Sequence, residues 1–171
     1  MSSNETPAPG AWRLDAGSST VSLGHKTFWG LVTVKGEFRT VTGGGELAAD
    51  GTARGELTLA ADSLDTKNAK RDEHLRSADF FDAANHPELR FEAREIRSSG
   101  DALTIDGALT VRGTTEPVTL TARRTETAAH AVRVEAETTI DPRRFGVLKK
   151  KSGMVKGDTA VRLSLRFVAA S

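Results

Sequence analysis

The sequence predicts an all-β protein, an eight-stranded antiparallel β-barrel with a short helical insertion at about 67–78 near one end. Three observations lead there. Apolar and polar residues alternate with a period of two through most of the chain, the mark of strands wet on one side. Turn-forming clusters separate these runs at short intervals: "DG" at 50–51, "SSGD" at 98–101 and "GTTEP" at 113–117. Connections this short favour an up-and-down meander that closes on itself over a two-sheet sandwich with long crossovers.

The elements follow in order. Residues 1–11, polar and proline-bearing, read as a flexible tail, and 12–171 as a single domain. Strands are expected at roughly 20–26, 31–40, 53–62, 88–97, 102–112, 117–125, 130–140 and 159–168. In the first, Val21, Leu23 and His25 share a face. In the second, Val34, Gly36 and Phe38 do. Leu57 and Leu59, then Leu89, Phe91 and Ala93, continue the inner surface. The fifth strand gives the longest alternation: Leu103, Ile105, Gly107, Leu109 and Val111. Val118, Leu120 and Ala122 follow, then Val132, Val134 and Ala136, and finally Val161, Leu163, Leu165 and Phe167. The glycine triplet at 43–45 reads as a hairpin turn, with no following helix to present amides to a phosphate.

The positions assigned to the interior carry no charge, and His25 is the titratable one among them. Several are small, Gly107 included, so the barrel is expected to hold space for one slender apolar molecule. Gly107→Leu is expected to fill that space and leave the fold intact.

Between the third and fourth strands, "DTKNAKRDEHLRSADFFDAANHP" loses the period of two. A helix is expected from about Asn68 to Ser77, capped by Thr66 or Asn68. A helix this short needs docking, for which Leu75, Phe80 and Phe81 are the available anchors. Phe80 and Phe81 should face different sides, one over the interior and one beneath the helix. Arg71 and Asp72 are expected to tie the helix to a neighbouring loop. His74 and His86, twelve residues apart near Asp72, Asp79 and Asp82, match no metal-ligand spacing, so no metal is expected. No GxSxG turn is present, and no catalytic residue is assigned. No cofactor is called for.

A net charge of +1 gives no general attraction to nucleic acid. The absence of cysteine excludes disulfides and thiolate chemistry. The opening residues have neither the basic nor the apolar part of a signal peptide, and no apolar run reaches membrane-spanning length, so a cytoplasmic location is expected. The insertion "DPRRFGVLKKKSGMVKGD" at 141–158 concentrates positive charge.

"RDEHLRSADFFD", the following "HP" and "F", then "IDGALTVRGTTEPVTLTA" and "IDPRRFGV" together resemble the YceI-like family of polyisoprenoid-binding proteins. The resemblance runs from about Trp12 to Val168. It implies a lipocalin-like barrel with an apolar channel for an isoprenoid chain, and a transport, storage or sequestration role in place of catalysis. The first strand departs from the family pattern, with Ser18 where a histidine is frequent and Leu23 where a phenylalanine is. Candidate cavity residues are His25, Phe28, Trp29, Val34, Phe38, Leu59, Phe80, Phe81, Phe91, Ile105, Leu109 and Phe145. Arg144 and Lys149 are candidates for a lipid head group. The partner expected is an isoprenoid (polyisoprenoid or quinone-like) or other long-chain lipid. A fatty-acyl ligand, a homodimer, a cyclase or isomerase using His25 or Asp72, and a filled barrel without ligand stay open as alternatives.

Overall fold

The computed structural model describes residues 7–27, 32–78, 80–146 and 155–170. Its strands are β1 (Gly10–Leu14), β2 (Thr20–Thr27), β3 (Val32–Phe38), β4 (Val41–Leu47), β5 (Ala53–Ala60), β6 (Leu64–Asp65), β7 (Glu88–Ser99), β8 (Ala102–Val111), β9 (Thr114–Thr127), β10 (Ala131–Ile140) and β11 (Val155–Ala169). One α-helix, α1 (Ala69–Arg76), lies between β6 and β7.

Hydrogen bonding runs β1–β4–β5–β7–β8–β9–β10–β11 and returns from β11 to β1 through Trp12↔Ala169, Arg13↔Val168 and Leu14↔Phe167. The result is a closed, eight-stranded antiparallel barrel, as the alternation predicts. Two pairs of strands act as single staves interrupted midway. β1 and β2 both flank β11, at 167–169 and at 155–164. Opposite them, β3 pairs with β2 while β4 pairs with β1. The short β6 extends the β5 side to meet β3 at Phe38↔Leu64.

The break between β1 and β2 is a 3₁₀ turn, Ala16–Ser18, stitched to β11 by one residue. Arg166 accepts from the Asp15 amide at its carbonyl, donates from its own amide to Ser19 Oγ, and reaches Asp15 Oδ2 at 3.2 Å. The backbone groups freed by the turn are thereby satisfied.

Two sequence expectations need correcting. The chain is engaged before Trp12: the Ala8 amide donates to Ala129 O, and β1 starts at Gly10. The glycine triplet 43–45 is no hairpin turn but the middle of β4, paired on both edges. Glycine is needed there because the three strands close tightly. A Cβ at Gly45 would lie 2.4 Å from the Arg54 carbonyl oxygen, and one at Gly44 2.8 Å from that of Trp12. Gly-rich composition reads as a turn when the neighbouring backbone is not in view.

The helix lies where its punctuation puts it. Asn68 is the N-cap, its Oδ1 accepting from the Arg71 amide at 3.0 Å. Ser77 closes the other end, its amide and hydroxyl both donating to His74 O. The chain then returns to β7 through His86–Pro87, and the His86 ring lies over Gly113, where a Cβ would come within 3.0 Å of it.

The core is divided along the axis. The larger cluster gathers Val21, Phe38, Leu57, Leu59, Phe80 and Phe145 with others at the α1 end of the barrel. A smaller one, Leu103, Ala122 and Ala136, occupies the opposite end. Phe145 and Val21, each 1% exposed, anchor the first, and burial of a ring such as Phe145 contributes about 2–3 kcal/mol.

Candidate functional site: the barrel interior

Among the described residues, two cavities border the barrel interior. The first, about 130 Å³, is at the α1 end and has walls from Val21, Phe38, Phe81, Leu109, Ile140 and Phe145, among others. The second, about 230 Å³, lies towards the hairpin ends and is walled by Trp12, Ile96, Leu103, Ile105, Val134 and Phe167, among others. Leu57, Phe91, Leu120 and Leu163 border both, so the two spaces meet at a waist of four side chains. Either space alone is of the order of a benzene-binding cavity, roughly 150 Å³, whereas together they reach the lower end of ligand-pocket volumes, about 300 Å³.

The expected cavity residues divide as follows. Phe38, Leu59, Phe81, Phe91, Leu109 and Phe145 border the first cavity, and Ile105 borders the second. Phe80 and Phe81 part company as adjacent residues leaving a helix must. Phe81 meets the cavity and stacks edge-on against Phe38 at 6.4 Å, whereas Phe80 is buried against the His74 ring at 4.7 Å. The Phe80 carbonyl also accepts from Arg112 Nη1 at 2.8 Å, tying this segment to the β8–β9 turn.

His25 pairs across the sheet with Thr159 and Val34. Its Nδ1 lies 2.8 Å from Thr159 Oγ1, and Thr159, not His25 or Val34, is the cavity wall at this level. Arg144 is half-exposed on the 3₁₀ turn Pro142–Phe145 and reaches Glu116 at 3.4 Å. Phe28, Trp29 and Lys149 lie outside the described residues.

Gly107 does not make space. A Cβ there would sit 2.3 Å from Glu92 O and 2.7 Å from Phe91 Cζ, because the Phe91 ring already rests on the bare β8 backbone. A leucine at this position therefore collides with the sheet as well as with the ring, and the expectation that Gly107→Leu leaves the fold intact is wrong.

Asp72, the acid–base candidate of the cyclase alternative, is committed elsewhere. It is buried at the foot of α1, where its Oδ1 accepts from both the amide (2.8 Å) and the hydroxyl of Thr66. Arg71 completes the knot by donating from Nε to Thr66 Oγ1 at 2.8 Å and from Nη2 to Thr66 O at 2.6 Å. Among the described residues no cluster of three His, Asp or Glu side chains could hold a metal ion.

The sequence reading missed several interior residues. Trp12 is buried against the second cavity, with its Nε1 donating to Ala8 O at 3.0 Å. Arg124 also lines that cavity. The signal for it was present: Val118, Leu120 and Ala122 alternate inward, and one more step of two reaches Arg124. The interior is thus not free of charge.

A closed antiparallel barrel around an axial apolar space defines a lipocalin-like protein. The YceI-like domain model matches residues 12–169, and the chain belongs to that family. Among curated relatives, a segment of 67 residues is 46% identical to Protein YceI of Escherichia coli O157:H7, covering 39% of this chain and 35% of that protein. A 68-residue segment is 43% identical to a UPF0312 protein of Pseudomonas aeruginosa strain LESB58, covering 40% and 36%. These alignments thus span about a third of each relative's length. Among solved structures, Burkholderia cenocepacia BcnA superposes with a TM-score of 0.76 at 20% identity, over 92% of this chain and 99% of that one. A polyisoprenoid binding domain from Saccharophagus degradans, implicated in plant cell wall breakdown, superposes with a TM-score of 0.75 at 15% identity, over 94% and 99%. Both share the fold. No described helix is long and apolar enough to cross a membrane.

Proposed function

We propose that this chain binds one long apolar molecule, an isoprenoid or fatty-acyl lipid, along the barrel axis, as a carrier or store. The observation that carries this reading is the pair of apolar cavities meeting end to end at Leu57, Phe91, Leu120 and Leu163. An apolar chain threaded through that waist replaces water or void against hydrocarbon walls on both sides. The polyisoprenoid-binding domain of Saccharophagus degradans, which shares the fold, supports the same ligand class. Phe38, Leu59, Phe81, Leu109 and Phe145 would touch the first half of the chain and Ile105 the second. Arg144 would border the α1-end mouth.

Calorimetric titration with farnesol, a three-unit isoprenoid, tests the reading. Saturable one-to-one binding with a negative heat-capacity change is expected, because apolar surface is removed from water on both partners. Heats indistinguishable from dilution, with the protein folded, would contradict it.

A further inference from the structure

Arg124 is a cation placed where the alternation of β9 demands an apolar residue. It faces Val134 across the sheet and follows Ala122, which is buried in the smaller core cluster. Its side chain lines the second cavity and is neither exposed nor paired with a carboxylate among the described residues. One edge of the guanidinium is used: Nη2 donates to the Gly100 carbonyl in the β7–β8 turn, and the Arg124 amide donates to Asp101 O. Nε is different. It is buried and has no hydrogen-bond acceptor among the described residues. The other charged residues bordering this cavity are matched: Arg54 reaches Glu46 at 3.3 Å, and Glu56 is held by Arg90 at 2.8 Å.

A buried donor on a charged group without an acceptor is costly, and an anionic oxygen is its strongest complement. The Gly100 bond holds the guanidinium at the hairpin end of the second cavity, which its side chain lines. From there to the waist at Leu120 is four residues of β9, about 13 Å of strand.

We propose that Arg124 is a head-group site: a single-chain lipid ending in a carboxylate lies with its head on the Arg124 guanidinium and its tail running through the second cavity to the waist. This rests on the lipid-binding reading above and adds the chemistry and the direction of the ligand. The head then enters at the hairpin end, opposite α1 and Arg144.

Laurate and dodecanol, equal in chain length and different in head charge, separate the two ideas. Calorimetry with the parent should show laurate binding more tightly by about tenfold or more, the scale of a charge-assisted hydrogen bond. Arg124→Gln should remove that preference, weakening laurate by about tenfold more than dodecanol, and Arg124→Lys should restore part of it. If Arg124 merely held the turn through Gly100, both probes would weaken together in Arg124→Gln, and the head-group site would be overturned. Equal affinity of the parent for both probes would overturn it too, while lipid binding stood. Failure of both probes to bind the folded parent would remove the lipid reading and this site with it.

Discussion

At Gly107 a methyl group would be 2.3 Å from a backbone oxygen and 2.7 Å from the Phe91 ring. The ring can rotate away, but the Glu92 carbonyl belongs to a paired strand and cannot move without disturbing β7. Gly107→Ala should therefore lower stability by about 1–3 kcal/mol, the usual cost of overpacking, read from urea melts. Phe91→Leu in the same chain should recover only the part due to the ring. Parity in the sequence placed both residues inside, but not the ring lying across the glycine, because that contact joins two strands. The same limit hid Arg124 in the opposite sense. Its position was legible from spacing, and its charge argued against placing it on the inner face.

At the scale of elements, α1 is short and depends on what grips it. Thr66 is the focus: its amide and hydroxyl donate to Asp72, while its hydroxyl and carbonyl accept from Arg71. Asp72→Ala leaves a buried donor at Thr66 and should cost about 1–3 kcal/mol. The loss should shrink in a Thr66→Val background, a coupling that thermal or urea melts of the double-mutant cycle would reveal. Asn68 was legible as one of two N-cap candidates, beside Thr66, and so was the tethering role of Arg71 and Asp72, because caps and helix phase are local. That both grip one threonine was not legible, since Thr66 reads equally well as a cap.

Two other carboxylates tie down turns. The Lys67 amide, and then the Arg39 guanidinium, hold the Asp65 carboxyl below the ordinary aspartate range, and the Arg143 side chain does the same for Asp141. A carboxyl depressed in the folded state contributes stability above its unfolded pKa, near 3.9, and loses it as pH falls through the folded value. Melting temperature should thus fall on acidification below about pH 4. The fall should be shallower in the Asp65→Asn, Asp141→Asn double variant, as scanning calorimetry at pH 3 and pH 6 would show.

For the whole molecule, alternation and short links were enough to predict closure with eight staves, because both are encoded in neighbouring residues. The interruptions were not. The start of β1 read as a tail, β2 as a strand of its own, and the glycines in the middle of β4 as a turn, since their continuity exists only through shared partners on β11 and β1. The division of the interior was equally hidden, because it depends on where four side chains from four strands meet. Of these, Phe91 is the largest. Phe91→Ala should merge the cavities and shift preference towards longer chains, at up to about 3 kcal/mol in stability. Titration of farnesol against geranylgeraniol, three isoprene units against four, would read the shift as a rise in relative affinity for the longer alcohol.

A barrel that works as proposed holds a lipid in its axial space. Native mass spectrometry of the purified full chain, followed by organic extraction and mass analysis of what it releases, tests this most directly. A folded protein carrying one long-chain lipid per molecule, lost on denaturation, is the expected result. A folded protein of apo mass, which also takes up no lipid when incubated with a total lipid extract, would contradict it.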